Sequence, residues 1–279
     1  MDRRDFLKAV GIAGISTLSG KNLQAQSILE EDEFMGALID TTRCIGCRKC
    51  EEACAKEHNL PVPDLNENVF DLIRKTSTIS WTVVNRFKTD KGDVFVKRQC
   101  MHCNQPACAA ACLTKAMVKR EEGPVIWRES KCMGCRFCMV SCPFEMPKFE
   151  YDSPMPSIQK CSLCWERLKE GNIPACVEAC PVGAIVYGKR RDIIEEAKAQ
   201  IYKEPGKYIP QIYGEHEVGG TSWLYISAVP LEQLGFRTDL GTTPYPDFTK
   251  EFLYGVPVVL ILWPTILLAI SNATKKEEE

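Results

Sequence analysis

The residues of this chain best suited to chemistry are its sixteen cysteines, in 279 residues, and they are not scattered. They fall into four runs of four. The first is Cys44, Cys47, Cys50 and Cys54; the second is Cys100, Cys103, Cys108 and Cys112. The third is Cys132, Cys135, Cys138 and Cys142; the fourth is Cys161, Cys164, Cys176 and Cys180. Runs one and three read C-x2-C-x2-C-x3-C. Run two widens one step to four residues and run four widens one step to eleven, while both keep the closing C-x3-C. Thiolates can ligate soft metals, exchange electrons as dithiols or close disulfides. The spacing must choose among these.

A tight C-x2-C-x2-C loop presents three thiolates to three corners of one [4Fe–4S] cubane, and the fourth cysteine, on the next turn, points elsewhere. Where two cubanes share one small protein, that fourth thiolate ligates the other cluster. Sixteen thiolates at four per cubane give four [4Fe–4S] clusters with none left over. One C-x2-C would be shared with zinc and thiol redox sites. The competing reading is a zinc or disulfide structural or redox-sensing protein. It does not account for four runs that close alike, because zinc knuckles are separated by longer spans and disulfides require no such repeat. Pro143 and Pro181 follow the last cysteines of runs three and four, whereas Ala55 and Leu113 stand there in runs one and two. His102, between Cys100 and Cys103, is expected to support the ligands rather than be one. His58 and His216 are expected to be ordinary polar positions, and Trp127, Trp165 and Trp223 to pack in the core. The chain has no Ser-His-Asp pattern and no glycine-rich phosphate loop at a strand–helix junction. The expected role is therefore electron transfer without catalysis.

The elements that must hold these runs are short. Val94–Lys97 and Val125–Trp127 read as strands, and Glu51–Cys54 and Ala109–Cys112 as helical turns. Residues 60–92 read as an insertion with a strand at Trp81–Val84 and a turn at Lys91–Gly92, and residues 189–250 as an extension that opens on a helix, Asp192–Tyr202. A formal charge of −2 provides no basic field for nucleic acid. The ends suggest a compartment. Arg3 and Arg4 precede an uncharged run from Ala9 to Gly20, too short to span a bilayer, so residues 1–25 read as a twin-arginine export signal ending at Leu23-Gln24-Ala25. Residues 252–274 carry no charge and are long enough to cross a membrane, with Lys275 and Lys276 on the cytoplasmic side. That places the body on the periplasmic side, held by a single C-terminal anchor.

From Gly36 to about Gly188 the sequence resembles the iron–sulfur subunits of membrane-bound respiratory oxidoreductases. The resemblance rests on Cys100-Met-His-Cys-Asn-Gln-Pro-Ala-Cys108, on Cys132 to Pro143, and on Cys161-Ser-Leu-Cys164 with Pro174 to Pro181. Tyr213 to Thr221 and Leu224-Tyr225-Ile226 extend it. It implies an α+β fold of two interleaved dicluster modules resembling bacterial ferredoxin, over residues 36–188. It also implies that runs one and four pair, as do runs two and three. Cys44, Cys47 and Cys50 would share a cluster with Cys180, and Cys161, Cys164 and Cys176 one with Cys54. Cys100, Cys103 and Cys108 would take Cys142, and Cys132, Cys135 and Cys138 would take Cys112. Spacing alone also permits runs three and four to pair. A signal together with an anchor looks most like the hydrogenase-2-type subunit. That likeness implies a [NiFe] hydrogenase or other catalytic large subunit on one side and a quinone-reactive membrane protein on the other. The alternative is the iron–sulfur subunit of a molybdenum or tungsten oxidoreductase acting on formate, polysulfide or a related substrate.

Overall fold

The computed structural model describes residues 34–275. The expected export signal, and Lys276 at the other end, lie outside these residues. The protein is a mixed α/β fold of small sheets and short helices. At its centre β1 (Met35–Asp40) lies between two strands, β8 (Ile185–Lys189), which is antiparallel to it, and β9 (Trp223–Ile226), which is parallel. β1 is paired along both edges by these strands and buried on both faces by two core clusters. Alternate side chains of a strand point to opposite sides. Ala37 and Ile39 thus join Trp223, Tyr225, Val96 and Leu234 on one face. Leu38 joins Ile193, Ala197 and Ile226 on the other. There the helix α6 (Arg190–Lys203) presents Ile193 and Ala197, four residues apart on its apolar stripe.

The remaining elements in chain order are brief. α1 (Lys49–Glu57) carries the end of run one. The hairpin β2 (Val83–Thr89) and β3 (Gly92–Arg98) turns at Asp90-Lys91. Run two closes on α2 (Ala107–Ala110), followed by the hairpin β4 (Met117–Lys119) and β5 (Val125–Trp127). Run three closes on α3 (Phe137–Val140), followed by β6 (Lys148–Phe149) and β7 (Ile158–Gln159). Run four holds α4 (Trp165–Lys169) and α5 (Ala175–Glu178) and leads into β8. Helices of one turn and strands of two residues are not stable by themselves. They persist by packing in pairs: α1 lies against α5 under the β1–β8 pair, and α2 lies against α3 beside β4–β5. Runs one and four thus share one unit, and runs two and three another.

Residues 189–250 complete the central sheet through β9 and stitch the two units together. The Ser222 N–H donates to Met101 O, the Asn104 N–H to Gly220 O, and the Arg237 guanidinium to Pro143 O at 3.1 Å. The Tyr208 hydroxyl donates to the buried carboxylate of Asp40 at 2.8 Å. After Tyr245, α7 runs from Asp247 to Lys275 with Pro257 and Pro264 inside it. It begins five residues before the charge-free stretch because Asp247, Lys250 and Glu251 form a polar first turn. Among the described residues it is the one helix long and apolar enough to cross a membrane, and the body packs against none of that span.

The insertion is held by a buried acid. Glu51 of α1 receives both terminal nitrogens of Arg74, at 2.5 and 3.1 Å, the Arg48 Nε at 3.2 Å and the Val84 N–H at 2.6 Å. Its carboxylate thereby ties α1 to residue 74 and to β2. Glu51→Ala leaves two guanidinium groups without their carboxylate and is expected to lower stability by about 3–5 kcal/mol. Loss of the exposed Lys75–Glu145 pair is expected to cost under about 1 kcal/mol. Urea denaturation of the anaerobically purified variants, followed by near-ultraviolet circular dichroism, measures both.

Candidate iron–sulfur centres

Each run begins with the same local backbone device. The residue just before the second cysteine has positive φ in all four: Gly46 at 70°, His102 at 49°, Gly134 at 71° and Leu163 at 56°. The left-handed turn folds the loop back so that neighbouring thiols converge. Glycine adopts this region freely, whereas Leu163 holds it at a cost of about 1–2 kcal/mol. At Gly46 a side chain would also strike the ring of Phe95 from the β2–β3 hairpin. The loops aim N–H groups at sulfur. The Gly46 N–H binds Cys44, the Leu163 N–H reaches Cys161 Sγ at 3.4 Å and the Ala184 N–H reaches Cys180 Sγ at 3.3 Å. The Ala116 N–H reaches Cys112 Sγ at 3.1 Å. Such donors favour thiolate over thiol.

The fold brings the sixteen cysteines together in four sets, each joining three members of one run to one from another. Set one gathers Cys44, Cys47 and Cys50 around a pocket whose far wall is Cys180. Set two places Cys54 beside Cys161, Cys164 and Cys176, whose charges act on it. Set three joins Cys142 to Cys100, Cys103 and Cys108. In set four Cys112 lines one pocket with Cys132, Cys135 and Cys138. Neighbouring sets are close enough to interact electrostatically in order: Cys176 acts on Cys50, Cys100 on Cys161, and Cys138 on Cys108. They form a single file from set one to set four.

Burial dominates the electrostatics. It pushes Cys138, Cys142 and Cys161 up to about 11 and Cys164 to about 12, with neighbouring thiolates adding to the rise at Cys138, Cys161 and Cys164. Cys112 shifts downward instead: burial works against that, and the N–H groups of Met117 and Ala116 and the Thr114 hydroxyl outweigh it. All sixteen cysteines are free of disulfides. Among the described residues no three His, Cys, Asp or Glu side chains converge closely enough for a single ion. A zinc ion would draw thiolates to about 2.3 Å from one centre. Wider sets, each with four soft donors and inward N–H groups, suit a larger thiolate-ligated group, and a [4Fe–4S] cubane has that character.

Two side chains near the sets escaped the sequence reading. His58 places its Nε2 3.5 Å from Cys164 Sγ and its ring 4.6 Å from that of Trp81, so it is a neighbour of set two rather than an ordinary polar residue. No spacing rule links it to a cysteine 106 positions away. Lys97 is 2 % exposed and lies against sets one and two. The sequence signal for it is a lysine within the apolar strand Val94–Lys97. His216 is exposed, and Trp223 is fully buried in the core, as expected. Trp127 packs against the core cluster beside β4 and β5, also as expected, and with Trp165 it lines a cleft that contains Cys164.

These features define the chain as an iron–sulfur electron-transfer protein, and comparison with known proteins agrees. Residues 93–190 match the 4Fe-4S dicluster domain family. A protein of Nitratidesulfovibrio vulgaris is 43% identical over the whole chain and 78% of its own length. The Hydrogenase-2 operon protein HybA of Escherichia coli O157:H7 is 32% identical over 99% of this chain and 97% of its own length. The Formate dehydrogenase-O iron-sulfur subunit of Escherichia coli K12 is 33% identical over 73% of this chain and 69% of its own. The chain belongs to this family of iron–sulfur subunits of oxidoreductase complexes, and it is a protein of multiple [4Fe–4S] clusters.

His102 is fully buried, and its Nδ1 accepts the Val125 N–H at 2.8 Å. Leu163 holds the equivalent loop position with similar φ, so His102→Leu keeps the turn and removes that hydrogen bond together with the buried, unpartnered Nε2. The variant is expected to keep its full iron content and to lose about 1–3 kcal/mol of stability from the orphaned N–H. Iron analysis beside a denaturation curve checks both parts.

Proposed function

We propose that this chain relays single electrons through four [4Fe–4S] clusters between a catalytic subunit outside the membrane and a quinone-reactive membrane partner. The sixteen ligands are those of sets one to four, held in two interleaved dicluster modules. Bound there, the clusters supply reversible one-electron chemistry. The observation that carries the reading is the single file of sets with buried middles and open ends. Cys54, Cys161, Cys164 and Cys176 of set two are buried, as are Cys100 and Cys108 of set three. Cys135 of set four is exposed, and so are Leu113, Met133, Phe137 and Val140 around it; Ile45 is exposed beside set one. Apolar surface around a terminal centre fits a docking partner, while a dry interior excludes water and side reactions from the middle of the path.

The proposed orientation of the file takes the anchor as its support. Arg237 and Asn104 tie the segment leading to α7 to residues flanking Cys142 and Cys103. These bonds support a path in which sets three and four serve the membrane partner and set one the catalytic subunit. Export folded through the twin-arginine signal of residues 1–25, with residues 252–274 in the membrane, would put the body in the periplasm. HybA aligns with this chain almost end to end, whereas the formate dehydrogenase subunit covers about three quarters of it. That favours a hydrogenase as the catalytic partner.

Anaerobically purified protein is expected to be brown, with about 16 iron and about 16 acid-labile sulfide per chain. A colourless protein containing zinc contradicts the reading. Nickel in the catalytic subunit that co-purifies from membranes supports a hydrogenase; molybdenum or tungsten there replaces it with the formate-type alternative. Deleting residues 252–279 is expected to leave the iron in place and release the protein to the soluble fraction. Retention of the truncated protein on membranes would show that a partner, not α7, holds it.

A further inference from the structure

Three lysines lie inside the body beside the cysteine sets, and among the described residues none has a carboxylate partner. Lys97 of β3 is buried; its Nζ donates to Gln99 Oε1 at 2.8 Å and stands 4.5 Å from the centre of the Trp223 ring. Lys160 is buried, and its Nζ donates to Val125 O and, at 2.8 Å, to Cys161 O. Lys119 is partly buried and donates to His102 O at 3.1 Å and Ser222 Oγ at 3.3 Å. A buried ammonium bonded only to neutral oxygens is costly unless an opposite charge lies near. Among the described residues the cysteines of the sets supply such charges at Lys97 and Lys119. Lys97 acts on Cys44 and Cys50 of set one and on Cys54 and Cys161 of set two. Lys160 precedes Cys161 of set two and acts on Cys108 and Cys142 of set three. Lys119 faces Cys100 and Cys103 of set three. The charges acting on Cys138 of set four are Cys112, Cys132 and Cys135, with no lysine among them.

We propose that Lys97 and Lys160 are fixed countercharges seated in the gaps between sets one and two and between sets two and three, and that they raise the reduction potentials of the clusters on either side. Lys119 adds to the same field at set three. A cubane held by four thiolates is anionic and becomes more so on reduction, so a nearby ammonium in a low dielectric favours the reduced form. One ammonium shared by two clusters lifts both together, which keeps neighbouring steps of the path close in energy. Sets two and three would gain most and set four least. Gln99 is a positioning residue here, since its amide donates to the Tyr225 hydroxyl at 2.8 Å and its carbonyl fixes Lys97 Nζ.

This inference rests on the four-cluster reading, so the test measures both. Anaerobic potentiometric titration, monitored by electron paramagnetic resonance, is run on the full-length protein and on Lys97→Met, Lys97→Arg and Lys160→Met, with iron counted in each sample. Lys97→Met is expected to keep the parent's iron and to make two of the four clusters about tenfold harder to reduce, a shift of ~59 mV for one electron. The set-four cluster should not move, and Lys97→Arg should recover most of the loss. Lys160→Met should shift a different, overlapping pair. Full-iron variants whose potentials match the parent overturn the countercharge, as does uniform loss of iron from Lys97→Met, Lys97→Arg and Lys160→Met. A parent with iron for fewer than four cubanes overturns the cluster reading itself.

Discussion

The gathering of sixteen thiols into a small body, seven of them buried, is the constraint on which everything else in this protein depends. Buried sulfur resists ionisation, and here it lies where a larger domain would place leucine and valine: Cys176 belongs to the main core cluster, and Cys108 and Cys138 to the one beside β4 and β5. Iron alters that balance because it binds the thiolate and neutralises most of its charge. Folding and cluster binding are then one process. The surrounding elements are built accordingly. α2, α3 and α5 are single turns, and β6 and β7 have two residues each. Such pieces frame four ligand sets more than they form a core of their own. The strain at Leu163 has the same origin, since the loop is shaped for the sulfur it presents.

The sequence made the local chemistry legible because it is short-range. Cysteine spacing within a run is a statement about one turn of chain, and the strands at Val94–Lys97 and Val125–Trp127 and the helix after Lys189 are equally local. Which runs exchange their fourth cysteines could not be read that way. Cys54 and Cys161 come together only because α1 packs on α5, and nothing in either run specifies that contact. The same limit applies to His58. Residues 189–250 looked like an appended piece, yet β9 completes the central sheet; Trp223–Ile226 is an unbroken apolar run, and only its partner strand reveals it as interior. Trp81 and Thr82 fall just before β2, which starts at Val83 where pairing with Arg98 of β3 begins.

The two ends of the file differ in ways that suit different neighbours. Set one sits under the β2–β3 hairpin, with Phe95 closing over Gly46. Set four is more open, and its rim is apolar. A path of this kind works when each centre is close to the next and when no interior step is far out of line in energy. The packing of α1 on α5 and α2 on α3 meets the first condition. The buried lysines address the second. The segment from Tyr208 to Arg237 fastens the two units to one another, so the spacing between sets two and three is set by hydrogen bonds such as Ser222 to Met101 and not by a flexible linker.

The most direct test of this account is whether ligands cross between runs. Electron paramagnetic resonance of the reduced protein is compared for Cys112→Ser, Cys138→Ser and Cys100→Ser. The account predicts that Cys112→Ser and Cys138→Ser alter the same cluster signal, since both residues belong to set four, and that Cys100→Ser alters a different one. If Cys112→Ser instead alters the signal that Cys100→Ser alters, each run holds its own cluster and the interleaved path described here is contradicted.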